Sequence, residues 1–472
     1  MNIRNESLDA LRGFAILAMV LSGSIAFGDT MPAWMYHAQV PPPIHEFNPA
    51  LPGITWVDLV FPFFLFSMGA AIPLSLQKHV LAKSSIVVVT GIAFKRFALL
   101  AFFALFTEHM KAWVMSSAPV FSDHLLSILA FVLLFFQFYE TRKLAGSKVF
   151  IVVKAFAFLA AIVLLWKLPF HDGAGFSFYK SDIIIIVLAN MAFFGTIIYW
   201  VTREKPLLRL GLLPFIMAIF LAAKEPADGW AKAFFNFNHI GSFQIDWLYQ
   251  FYFLKYLFIV LPATCAGEWI LKSMQANKTL QEPEAKKSKE KVLAAILSLL
   301  IVGCNLAGLF TRMLLVNFIV TMFLCLLMYW LAKKQQEKLL RQFSEAGIYL
   351  LSLGLCFEAY EGGIKKDHST YSYYFVTTGL AFFMLISFSV LARLKYVSRP
   401  VRYLALNGKN PMVAYVAGAL LLLPLLSLTY TQSYWDSLHQ NAWMGLLKGV
   451  LFTGVVSLVT VFFVRKKWFW KT

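Results

Sequence analysis

Residues 55–76 read TWVDLVFPFFLFSMGAAIPLSL, and this stretch decides the fold. It holds one charged side chain, Asp58, in 22 residues and shows no strict alternation of polar and apolar positions. About 20 residues of helix cross a hydrocarbon layer of roughly 30 Å, whereas a barrel strand needs only about 9–11 alternating residues. The stretch therefore reads as a membrane-spanning helix. Working outward, thirteen further apolar segments follow the same pattern, at about 8–27, 97–114, 123–139, 149–168, 182–201, 207–223, 251–271, 292–310, 314–332, 344–360, 371–392, 411–429 and 444–464. The shortness of 207–223 and 344–360 sets the expectation at eleven to fourteen spans. The fold class is all-α, a polytopic integral membrane helix bundle forming one domain over 1–472. The first stretch reads as a retained helix rather than a cleaved signal, because Arg12 lies inside it and no A-x-A site follows.

Composition agrees. Of 472 residues 60% are hydrophobic and 14% charged, far from the roughly 25% charged residues of a soluble domain. The net charge of +18 raises the question of nucleic acid, but the positions of the 42 Lys and Arg answer it. With the N-terminus inside, thirty-one fall in inner connections, eight in outer ones and three (Lys154, Lys255, Lys448) within spans. That is the positive-inside pattern, so no nucleic-acid partner is expected and both termini are expected in the cytoplasm. The lipid bilayer is the first expected partner. The linker 275–291 reads as a solvated inner loop. Cys265, Cys304, Cys325 and Cys356 all fall in apolar segments without a CxxC pair, and read as small core residues rather than a zinc site or disulfides. No Walker loop, HExxH or GxSxG is present, and no metal is expected.

Polar residues in and beside the spans mark the candidate sites. The outer loop 29–53 carries no Lys or Arg, six prolines, and two histidines, His37 and His45. A histidine exchanges protons near neutral pH, so these are either a general base or hydrogen-bonding props of a stiff loop. Asp58 is either a helix cap or a site carboxylate, since a charge in a span needs a partner or a wet cavity. Asp9 and Arg12, three apart on the first helix, read as an ion pair. The second polar outer loop, 361–373, brings Lys365, Lys366, Asp367, His368 and Ser372 near Glu358 and Glu361; it is either a substrate-lining loop or a solvated hairpin. Asn410 before Pro411 reads as a helix start.

Several of these stretches together resemble a known family. Ser7-Leu8-Asp9-Ala10-Leu11-Arg12-Gly13 and the run Thr55–Gly69 are similar to blocks of the heparan-alpha-glucosaminide N-acetyltransferase family and its bacterial relatives. Lys95-Arg96, Leu261–Thr264, Ile364–Lys366 with Thr370–Tyr373, and Gly408–Pro411 with Tyr415 echo further blocks in the same order, and 292–332 looks like an inserted helical hairpin. The resemblance implies a transmembrane acetyltransferase of the inner membrane, moving the acetyl group of cytoplasmic acetyl-CoA to an amino sugar or glycan outside. It points to His37 as the catalytic histidine with His45 as the alternative, Asp58 orienting it, and Lys365, Lys366, Ser372 and Asn410 binding substrate. Lys95, Arg96, Arg399 and Arg402, beside matched blocks, are the expected contacts of the CoA phosphates. Expected partners are acetyl-CoA, a carbohydrate acceptor and, in an assembly, a second copy as a homodimer. The rival readings are a transporter or flippase for a glycan or lipid-linked sugar, and a non-catalytic membrane relative.

Overall fold

The computed structural model describes residues 4–28, 31–140, 147–225, 229–279, 289–335 and 337–472. The long helices in chain order are α1 (Glu6–Ser22), α2 (Trp56–Leu81), α3 (Ile86–His109), α4 (Phe121–Phe138), α5 (Lys148–Lys167), α6 (Ile183–Thr202), α7 (Pro206–Ala223), α8 (Leu257–Thr279), α9 (Lys289–Phe310), α10 (Leu314–Lys334), α11 (Lys338–Cys356), α12 (Tyr371–Leu391), α13 (Ser398–Gly408), α14 (Pro411–Leu428) and α15 (Ala442–Arg465). Among the described residues, twelve helical segments are long and apolar enough to cross a membrane, and all but α1, α11 and α13 contribute. The protein is an all-α, multi-pass membrane bundle. The only strands among the described residues are the two-residue pair His239–Ile240 and Phe243–Gln244.

Burial sorts the helices into two shells. α2, α6, α8 and α12 form the interior, while α3, α5, α7 and α10 present most of their surface to the surroundings. Their exposed Phe, Leu, Val and Ile are what lipid tails would cover. Within the interior, α2 packs along α8 and α11 along α12, and α9 joins α12 from the far side of the α9–α10 hairpin. That hairpin covers the 292–332 segment and is tied across by Asn305, whose amide donates to Thr321 Oγ1 at 3.0 Å and accepts from Asn317 Nδ2 at 3.2 Å. Such side-chain bonds substitute for the hydrophobic drive that lipid removes.

The closest approach joins the two ends of the chain. α13, amphipathic and absent from the fourteen expected segments, lies across α1. A Cβ on Gly13 would stand 1.8 Å from Leu404 O, and one on Gly408 would stand 1.9 Å from Asp9 O. Only glycine permits backbones this near.

Two expectations need correction. α3 begins at Ile86, so Lys95 and Arg96 lie inside the helix, about 14 Å from its start, rather than in a loop before it; this charged pair interrupts a mostly apolar run that starts at Ile86. Cys356, expected in the core, is exposed at the end of α11. Most of the 275–291 linker lies outside the described residues.

Candidate active site

α2 starts at Trp56 because Thr55 caps it: the Thr55 hydroxyl accepts from Val57 N–H and Asp58 Oδ2 accepts the Thr55 N–H at 2.9 Å. The cap also receives the 29–53 loop. Asp58 Oδ2 accepts from Ala38 N–H at 3.2 Å, and the Thr55 hydroxyl donates to Tyr36 O at 2.7 Å. Residues 36–38 are thus pinned over the start of α2. Asp58 is fully buried and caps the helix, and its second oxygen, Oδ1, lies 2.5 Å from His37 Nδ1.

The other face of the imidazole meets the 361–373 loop. His37 Nε2 lies 2.9 Å from Asp367 Oδ2. That loop is locked in register by Gln39, fully buried, whose side-chain oxygen accepts Asp367 N–H at 2.8 Å and whose amide donates to Asp367 O. The three side chains differ in exposure: Asp58 is closed off, His37 is 15% exposed and Asp367 is 43% exposed. Carboxylate oxygens only accept, so a histidine between two of them carries a proton on each nitrogen. Burial works against that charge, but the bonds to Asp367 and Asp58 outweigh it and hold the His37 pKa above its ordinary 6.5. For Asp367 burial pushes upward, and the bond to His37 with the charge of Lys366 more than offsets it, leaving its pKa below the usual 3.8.

Lys255 carries the floor beneath Asp367. Its ammonium donates to Ser369 O at 2.5 Å, lies 4.7 Å from the Tyr371 ring centre, and approaches Glu361 Oε1 at 3.6 Å. Glu361 is held in turn by Lys224 Nζ at 2.8 Å and Tyr371 N–H at 2.8 Å. The Ser369 hydroxyl bridges Tyr252 and Tyr374. Lys255 had been recognised only as a charge within a span, which was the one available signal; Gln39 and the pairing of Asp367 with His37 had none.

The remaining candidates separate. His45 packs on Tyr36, its Nε2 against Gly28 N–H and O and its Nδ1 3.3 Å from Val40 O, so it braces the loop away from Asp58. Lys366 is close enough to act on both His37 and Asp367, and Lys365 anchors its loop through backbone bonds to Thr370. Ser372 is buried and donates to Gly354 O across to α11. Asn410 bonds Trp468 O and Trp470 N–H at the far end of α15, the length of a helix from His37. Arg399 and Arg402 are exposed on α13, Arg402 3.5 Å from Glu6, and Lys95 is exposed on α3. Asp9 and Arg12 do pair, at 3.5 Å. Among the described residues no group of three or more His, Cys, Asp or Glu converges as a metal site requires.

No curated protein matches the chain. Residues 4–270, more than half of its length, match the pattern of a family described as a domain of unknown function (DUF5009), and the chain belongs to that family.

Proposed function

We propose that the protein is a transmembrane acetyltransferase of the inner membrane, with cytoplasmic termini, that passes the acetyl group of acetyl-CoA to an amino sugar or glycan on the outer face. One observation carries the reading: a partly exposed histidine held between a buried carboxylate and an accessible one. The motif resemblance supports the same chemistry. Asp58 fixes the proton on Nδ1 and leaves Nε2 for transfer. At rest Asp367 occupies Nε2. An acceptor amine binding at Asp367 draws that carboxylate away and lets the imidazole lose its extra proton. As the amine nitrogen attacks the thioester carbonyl, Nε2 takes a proton from it, the C–S bond breaks, and the departing thiolate receives that proton. The products are an N-acetyl sugar and free CoA thiol. Transient acetylation of Nε2 divides the same transfer into two steps.

The test is transfer of labelled acetyl from acetyl-CoA to amino-sugar acceptors by protein in proteoliposomes. Wild type should transfer, and His37→Ala should lose about two to four orders of magnitude. Equal rates in both remove His37 from the chemistry. Uptake of unmodified sugar without acetyl transfer makes the protein a transporter.

A further inference from the structure

The turn between α9 and α10 reaches both loops that meet at His37. Arg312, in that turn, has a φ of +61°, a left-handed conformation that is unfavourable for a residue with a Cβ. From there its side chain crosses to the end of α11, where Nη1 stands 2.5 Å from Glu358 Oε1. Glu358 is buried, and the same oxygen accepts the Ile364 N–H at 3.1 Å. Ile364 O in turn accepts the Gly53 N–H at 2.7 Å. One ion pair thus bears on the seam that joins the 361–373 loop to the 29–53 loop.

That seam is tight. A Cβ on Gly363 would stand 2.7 Å from Pro52 Cβ, 3.0 Å from Arg312 Nη2 and 3.1 Å from Glu358 Oε1. One on Gly53 would stand 3.4 Å from Leu309 O in the last turn of α9. Three residues of chain, at most about 11 Å when extended, lead from Ile364 to Asp367. On the other side of Asp367, Lys255 holds Ser369 O, and Thr370 bonds back to Lys365. Residues 365–368 therefore form a short tip clamped at both ends, and Asp367 is on it.

We propose that Arg312 is a positioning residue: through Glu358 it holds Ile364 against Gly53, and so keeps Asp367 seated on His37 Nε2. With Asp367 seated, the imidazole faces a carboxylate on each side, Asp58 and Asp367, with Lys366 as the nearby cation. Without Arg312 the tip is loose at one end. Nε2 is then uncovered, and one of the two bonds that favour the protonated ring is weakened. The α9–α10 hairpin serves the site in this way without entering it. The inference rests on the acetyl-transfer reading for its effect on rate, and on the loop geometry alone for its effect on His37.

Diethyl pyrocarbonate, which acylates neutral imidazole, reads His37 directly. Full-length protein in nanodiscs is treated at a series of pH values, and each modified histidine is located by peptide fragmentation in a mass spectrometer. At pH 6, Arg312→Gln should raise the His37 rate about two- to tenfold, the reach of one hydrogen bond. Arg312→Lys, which keeps the charge, should return most of the way to wild type. Glu358→Gln combined with Arg312→Gln leaves no unpaired buried charge and should show the same rise as Arg312→Gln. His45 in the same loop and His109 in α3 should react as in the wild type throughout. So should His37 in Arg341→Gln, which breaks the exposed Arg341–Glu345 pair of α11. In acetyl transfer, Arg312→Gln should raise the acceptor KM and move the acid limb of kcat/KM to lower pH, because His37 is neutral further down the scale. An unchanged His37 rate in both Gln variants, or an equal rise at His37, His45 and His109, overturns the proposal. Reactivity that follows Arg312 in a protein that transfers no acetyl removes the proposed reaction and keeps the clamp; transfer with His37 indifferent to Arg312 does the reverse.

Discussion

Asp58 joins a helix cap to a charged pair, and two substitutions separate those roles. Asp58→Asn keeps an oxygen for the Thr55 and Ala38 N–H groups but removes the charge opposite His37. Breaking a buried pair costs about 3–5 kcal/mol; with His37 15% exposed, the lower end applies, so about 3 kcal/mol is expected at pH 6. Asp58→Ala also removes the cap, adding about 1 kcal/mol. His37→Ala strands Asp58 in its buried position and should cost a similar 3 kcal/mol. Because each single change already breaks the pair, the double variant His37→Ala/Asp58→Asn should be less damaged than the sum by about 2 kcal/mol. Reversible unfolding in mixed micelles, followed by tryptophan fluorescence, gives all four free energies. The coupling should shrink as pH rises through the raised His37 pKa, where the imidazole loses its second proton. A coupling under about 0.5 kcal/mol at pH 6, or one indifferent to pH, would refute the account of the pair.

Stability should also follow His37 in the wild type. A folded-state pKa raised above 6.5 stabilises fully below about pH 6.5 and is lost as pH rises through the raised value; melting curves at closely spaced pH should show that fall and His37→Ala should lack it. Asp367 contributes oppositely, its share present above about pH 4 and disappearing as pH drops through its lowered pKa, so Asp367→Asn should flatten the acid side of the same curve. Gly408→Ala forces α13 off α1 and should cost about 1–3 kcal/mol or more, whereas Gly91→Ala, with nothing within 4 Å, should be neutral or gain up to about 1 kcal/mol; equal effects would contradict the crossing. Arg209 is fully buried and pairs with Glu268 at 2.6 Å, so Arg209→Met should cost about 3–5 kcal/mol and adding Glu268→Gln should recover part of it, as thermal unfolding can measure.

The spans were legible because a membrane demands long apolar runs. The helix containing Lys95 and Arg96 was shortened on reading because that charged pair interrupts a mostly apolar run starting at Ile86, and α13 was missed because a short amphipathic helix rich in arginine looks like a basic loop. His37 and Asp58 could be singled out by residue type and place. Asp367 could be noticed only as one polar residue of its loop, since its contact with His37 spans 330 positions and local pattern says nothing of it. The Asp9–Arg12 pair, three apart on one helix, was readable for the opposite reason. Lys255 and Glu268, thirteen positions apart, each find partners distant in sequence: Ser369 and Glu361 for one, Arg209 for the other.

The glycine crossing of α1 and α13 bears on how the chain is made. Gly13 leaves the ribosome 391 residues before Leu404, the carbonyl that covers it. At about 5–20 residues per second the interval is on the order of 20–80 s. Throughout it, Asp9, Arg12 and a strip of bare backbone on α1 are without their final cover. The first helix is therefore made early and acquires its seat late, and whatever shields that face meanwhile has to leave before α13 can dock.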